Sequence, residues 1–175
     1  IGYPIREYNI KGTNIIHLEN DKEKNFIIYA HGNSGHIGDY LNVLGRFAPY
    51  ASVLLFDYAG YGKSEGVTNT ENVVKNIKDV WSYVTKELKV DPDNIILYGY
   101  SIGGAISSYL LHMLNKKNEK LPRAIILQSS FTSVMDMAKE MLPPYMYYGS
   151  KLMIDNTFNS LKYLTPCSLI QLSTL

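Results

Sequence analysis

The stretch that most constrains this chain is 95–114. An apolar, β-branched run, Ile95-Ile96-Leu97-Tyr98, leads into Gly99-Tyr100-Ser101-Ile102-Gly103-Gly104, and Ala105-Ile106-Ser107-Ser108-Tyr109-Leu110-Leu111 continues as helix. A strand must therefore turn abruptly into a helix, with a serine at the apex of a G-x-S-x-G turn. The flanking glycines suit so tight a turn, because a Cβ there would meet neighbouring backbone. A serine hydroxyl is a poor nucleophile until a base takes its proton, and such an apex exposes it to one. The first N–H of the helix, on Ile102, points toward the same place and can bind a developing oxyanion. The pattern predicts Ser101 as a nucleophile for acyl transfer, with Gly99 and Gly103 supporting it. The plainer alternative is a serine on a glycine-rich turn that only links strand to helix.

Two upstream segments fit the first reading. Phe26-Ile27-Ile28-Tyr29-Ala30 reads as a buried strand, followed by His31-Gly32-Asn33-Ser34-Gly35-His36. A loop in this place can supply the second oxyanion donor, here the backbone N–H of Asn33, with His31 and Gly32 as motif support. The alternative is a strand-to-helix turn with Asn33 or Ser34 as helix cap. Val53-Leu54-Leu55-Phe56-Asp57 then runs into Tyr58-Ala59-Gly60-Tyr61-Gly62-Lys63-Ser64-Glu65-Gly66.

Taken together, the three segments resemble the alpha/beta-hydrolase superfamily. More narrowly, they resemble the branch of single-domain serine hydrolases that includes membrane-associated protein depalmitoylases. That branch carries H-G-N-x-G, D-Y-R-G-Y-G-x-S-x-G and G-x-S-x-G-G in this order. The resemblance extends from Asn25 to Cys167. Ala59 departs from it, standing where the family usually has arginine. The resemblance implies that Asp57 orders its turn and is not catalytic.

The alternation of strand and helix predicts an α/β fold, a mostly parallel sheet with helices on both faces. Strands are expected at Ile5–Asn9, Asn14–Leu18, Phe26–Ala30, Val53–Asp57, Ile95–Tyr98, Arg123–Gln128 and Ser168–Leu172. Helices are expected at Tyr40–Phe47, Thr70–Leu88 and Ile102–Leu114. The helix after Thr70 rests on Val73, Val74, Ile77, Val80, Trp81, Val84 and Leu88 at helical spacing, with Asn69 or Thr70 as cap. The 175 residues are expected to form a single, partial alpha/beta-hydrolase domain lacking the last strands and helix. The segment 141–158 is rich in Met, Tyr and Pro. It suits a lid or an apolar substrate wall as well as a helix packed on the sheet.

Composition narrows the partners. Hydrophobic residues make up 46% and charged residues 19%, as in an ordinary globular domain. A formal net charge of +1 with scattered lysines argues against nucleic acid. The single cysteine, Cys167, supports neither a disulfide framework nor a cysteine-based metal site. No metal or organic cofactor is expected. No apolar run reaches the length of a membrane span. Any membrane association would come through segments outside this chain, which begins at Ile1 and not at Met. The cytoplasm, or the cytoplasmic face of a membrane, is the favoured location.

The base and the acid are harder to find. The resemblance implies the order Ser, Asp or Glu, His. The histidines are His17, His31, His36 and His112. His112 alone follows Ser101, eleven residues along the same helix, so about 16 Å away at ~1.5 Å per residue. That is far beyond the ~3 Å general-base catalysis needs. Asp136 is a candidate acid in a position that a minority of such enzymes use. The resemblance implies a serine hydrolase of carboxylic esters or thioesters, small-molecule or acyl-protein, whose histidine and acid lie beyond residue 175. Two alternatives stand beside it. One is a catalytically impaired derivative serving as a binding or interaction module, since losing the histidine costs roughly 10⁶ in rate. The other is a peptidase of the same fold.

Overall fold

In the computed structural model, the described residues are 2–129 and the strand Ser168–Leu172. The latter is described by its backbone. The segment 141–158 and Asp136 lie outside the described residues.

Among the described residues, seven strands form one sheet: β1 (Ile5–Ile10), β2 (Thr13–Leu18), β3 (Phe26–Ala30), β4 (Ser52–Phe56), β5 (Ile95–Tyr100), β6 (Ala124–Gln128) and β7 (Ser168–Leu172). Their spatial order is β1-β2-β4-β3-β5-β6-β7. β2 runs against both of its neighbours, and the pairs β4–β3, β3–β5, β5–β6 and β6–β7 are parallel. The hairpin joining β1 to β2 turns at Lys11-Gly12, both at positive φ.

The central strands are apolar on both sides because helices cover both faces. Along β3, Phe26, Ile28 and Ala30 point to one layer while Ile27 and Tyr29 point to the other. Along β4, Leu54 and Phe56 alternate in the same way with Val53 and Leu55. The first layer is closed by helices α2 (Thr70–Ser82) and α3 (Ile102–Lys116), through Val73, Ile77, Val80, Trp81, Ile106 and Leu110. The second is covered by α1 (Leu41–Phe47), through Leu44 and the partly buried Phe47.

Several boundaries differ from the sequence reading by a residue or two, and three differences have a visible cause. A 3-10 turn at Ile37–Tyr40 precedes α1, because His36 caps it: the Gly38 N–H donates to His36 Nδ1, and the His36 N–H donates to Asp39 Oδ2. β5 extends to Tyr100, because Tyr100 pairs in register with Gln128 of β6. The expected long helix after Thr70 is regular to Ser82 and then widens into a π turn at Tyr83–Glu87. There the Leu88 N–H reaches back to the Tyr83 carbonyl, and the Thr85 hydroxyl donates to the Trp81 carbonyl at 2.8 Å. Such back-bonding by threonine competes with the regular helical ladder.

Candidate active site

Ser101 lies between β5 and α3 at φ +54° and ψ −121°. That backbone is costly for any residue with a Cβ, and surrounding contacts must hold it there. The Ser101 N–H donates to the Gln128 carbonyl of β6 at 2.9 Å, and the Gly104 N–H donates to the Ser101 carbonyl at 3.0 Å. The two glycines of the motif let strand and helix meet. A Cβ on Gly99 would overlap the backbone of Gly104, and one on Gly103 would overlap the Ala30 and His31 carbonyls. α3 therefore starts pressed against the end of β3, which brings the first turn of α3 beside the loop that follows β3. Ile102 is the first residue of α3, where backbone N–H groups have no partner within the helix.

The loop after β3 begins buried and then emerges. His31 and Gly32 are buried, residues 33–36 are exposed, and Ile37 is buried again. The turn after β4 holds both ends of it. Asp57 Oδ1 accepts from the Ile37 N–H at 2.8 Å, and the Tyr58 hydroxyl donates to the His31 carbonyl at 2.7 Å. The other carboxylate oxygen of Asp57 accepts from Asn14 Nδ2 and from the Lys63 N–H. Asp57 is 1% exposed and fully engaged in ordering these two segments. The Tyr61 hydroxyl crosses to Asn33 Oδ1 at 2.8 Å. Gly32 sits under the Tyr100 ring.

Ala59, where the resemblance expects arginine, is buried, and its own backbone groups are held by neutral side chains. Its N–H donates to Asn76 Oδ1 at 2.8 Å, and its carbonyl accepts from the Thr68 hydroxyl at 2.8 Å. Asn76 Nδ2 passes on to the Thr13 hydroxyl at 2.7 Å.

Each of the four histidines has its own place in the fold. His31 is fully buried, with its ring 4.4 Å from that of Tyr58. A carbonyl can only accept, so Nδ1 carries the proton shared with the Gly32 carbonyl at 2.7 Å. Nε2 is then bare, buried without a hydrogen-bond partner among the described residues and 3.9 Å from Asp57 Oδ1. Burial holds this histidine below its ordinary pKa. His17 lies on β2, far from the turn, and burial lowers its pKa too. His36 is taken up in the helix cap. His112 is on α3 among the residues 102–116, as its spacing from Ser101 requires. Among the described residues no group of three or more His, Cys, Asp or Glu side chains could hold a metal ion. Among them, too, no helix is long and apolar enough to cross a membrane.

A family model described as serine aminopeptidase, S33, matches residues 21–165. The chain belongs to that family. It is a family of alpha/beta hydrolases, and solved alpha/beta hydrolases share the fold. A crystal structure of an alpha-beta hydrolase from Vibrio vulnificus superposes with a TM-score of 0.82 at 17% identity, covering 98% of this chain and 63% of that one. An esterase/lipase from an uncultured bacterium superposes at 0.73 with 16% identity, covering 97% of this chain and 64% of that one. An uncharacterized protein of Acanthamoeba polyphaga mimivirus is 34% identical over 127 residues, 70% of this chain and 43% of that protein. The chain spans about half the length of the curated relatives it matches. The matched S33 segment includes the loop after β3, the turn after β4 and the β5–α3 turn. Sequence reasoning identified all three but missed the tyrosines that join the first two. Their signal was the Asp57-Tyr58 and Gly60-Tyr61 pairs, read as turn residues and not as side chains that reach another loop.

Proposed function

We propose that the protein is a serine hydrolase of carboxylic esters or thioesters. Ser101 Oγ attacks the acyl carbonyl carbon and passes its proton to a base. The carbonyl oxygen becomes an oxyanion held by the N–H groups of Ile102 and Asn33. The leaving alcohol or thiol departs with a proton, and water then attacks the acyl-enzyme to release the acid and restore Ser101. The observation that carries this reading is the backbone of Ser101 at φ +54° and ψ −121°, a combination outside the left-handed helical well that side-chain-bearing turn residues use. A merely structural turn has no need of a side chain there. The structural likeness to an esterase/lipase supports an ester substrate. In this reading the base is a histidine supplied by sequence beyond residue 175, in the order Ser, acid, His that the resemblance implies. Amide cleavage is a second reading, favoured by the description of the family as aminopeptidase.

The test is turnover of p-nitrophenyl esters, an acyl thioester and an aminoacyl p-nitroanilide by the full-length protein and its Ser101→Ala variant. The expected result is ester or thioester hydrolysis that Ser101→Ala abolishes while the melting temperature stays unchanged. Hydrolysis that survives the substitution overturns the nucleophile. Cleavage confined to the anilide moves the second reading ahead.

A further inference from the structure

An oxyanion donor works only if its N–H is held in place before the charge develops. The Asn33 N–H belongs to an exposed stretch, 33–36, between buried Gly32 and buried Ile37. Something outside the loop must hold it. The Tyr58 hydroxyl on the His31 carbonyl and the Asp57 carboxylate on the Ile37 N–H fix the two buried ends. The Tyr40 hydroxyl reaches the Ser34 carbonyl at 3.2 Å. On the Asn33 side chain, the contact is the Tyr61 hydroxyl at 2.8 Å.

Tyr61 is itself rigidly set. Its N–H donates to the Tyr58 carbonyl at 2.9 Å, and its carbonyl accepts from the Ser64 N–H at 2.9 Å. Gly60 and Gly62 on either side are at φ +81° and +49°, and a Cβ on Gly62 would overlap the Asp57 carboxylate. The Tyr61 ring packs edge-on against Tyr58 at 5.8 Å and against His31 at 5.7 Å. A phenol on a braced turn thus reaches across to the side chain of the residue whose backbone N–H the mechanism uses.

We propose that Tyr61 is a positioning residue for the oxyanion loop, acting through the Asn33 side chain. This rests on the reading of Asn33 as an oxyanion donor. Tyr61 does not touch the reacting atoms. Its hydroxyl fixes the Asn33 side chain, and with it the direction of the Asn33 N–H. Losing one oxyanion donor outright lowers kcat by roughly 10² to 10³, so loosening one is expected to cost on the order of tenfold.

The experiment is a double-mutant cycle on the full-length protein with p-nitrophenyl butanoate as probe: Tyr61→Phe, Asn33→Ala, the double variant, and Ser101→Ala alongside. Asn33→Ala keeps the backbone N–H and removes the acceptor at an exposed position, so it tests the contact from the other side even where Tyr61→Phe disturbs folding. Both single variants are expected to lower kcat about tenfold with KM unchanged. The double variant is expected to be no slower than either single one, because the two substitutions delete the same contact. An unchanged kcat in both single variants overturns the proposal. So does a change in KM alone, which would make Tyr61 a substrate contact, or a Tyr61→Phe effect that persists in full beside Asn33→Ala. Turnover that survives Ser101→Ala, or a wild-type protein without turnover, fails the underlying hydrolase reading instead.

Discussion

At the scale of single residues, the candidate site depends on the absence of side chains as much as on their presence. Gly103 lets α3 touch the end of β3, and a Cβ there would lie on backbone carbonyls that cannot swing aside. Gly103→Ala is therefore expected to destabilise the fold by about 1–3 kcal/mol or more, in the range of overpacking. Gly2→Ala, with nothing near its Cβ, is expected to change nothing. Urea unfolding of the two variants checks this, and equal midpoints would refute the contact. Asn76 plays the opposite part. It is 4% exposed and joins the Ala59 N–H to the Thr13 hydroxyl, bracing a turn for which relatives by resemblance use arginine. Asn76→Ala strands a buried N–H and is expected to cost about 1–3 kcal/mol, read from the urea midpoint. Restoring the arginine alone, Ala59→Arg, is expected to destabilise as well, because Ala59 is 3% exposed and its surroundings are already filled.

At the scale of elements, the sequence was most legible where one local signal sufficed. β3 is a run of five apolar residues, and its bounds agree with the sequence reading because both faces are buried. The start of α2 was legible for the same reason: the Asn69 side chain accepts from the Asn72 N–H at 2.8 Å, as a cap should. Asn69→Ala is expected to cost about 1 kcal/mol. Ile77→Ala, at the centre of the seam between α2 and the sheet, is expected to cost about 2–5 kcal/mol. Thermal unfolding that ranks the two in reverse would contradict the assigned layer. The end of α2 was not legible. Apolar spacing runs on to Leu88, yet the π turn at Tyr83–Glu87 goes with contacts that periodicity does not encode. One is the Thr85 hydroxyl turned back on the Trp81 carbonyl. The other is the Tyr83 hydroxyl, which donates to that of Tyr8 on β1, distant in sequence. The candidate site divides in the same way. Ser101, Gly99 and Gly103 lie within one contiguous motif, while the pairing of Tyr61 with Asn33 joins two loops that the fold alone makes neighbours.

At the scale of the whole molecule, two buried histidines, one on β2 and one after β3, couple the fold to pH. The Tyr83 hydroxyl donates to Tyr8, which leaves the Tyr8 proton for His17 Nδ1 at 3.2 Å; His17 Nε2–H is then buried without a partner among the described residues. His31 Nε2 is likewise buried and, among the described residues, unpartnered. Burial dominates at both sites and lowers both pKa values; Glu19 beside His17, and the Gly32 carbonyl and Asp57 beside His31, pull the other way and do not prevail. The folded protein thus keeps both rings neutral at a pH where the unfolded chain, with histidines near the ordinary ~6.5, already binds protons. Stability rises with pH wherever the unfolded state holds more protons, so the fold is expected to weaken as pH falls through that value, by at most ~1.4 kcal/mol per pH unit for each histidine. The loss ends only where the folded-state values are reached. Urea midpoints taken from about pH 7.5 down to about pH 5.5 should fall steadily, and His17→Gln should remove part of the slope. A midpoint that is flat or rises across this window would mean that one or both histidines enter the folded state already charged. In the case of His31 that would turn its 3.9 Å approach to Asp57 into a buried ion pair beneath the candidate oxyanion loop.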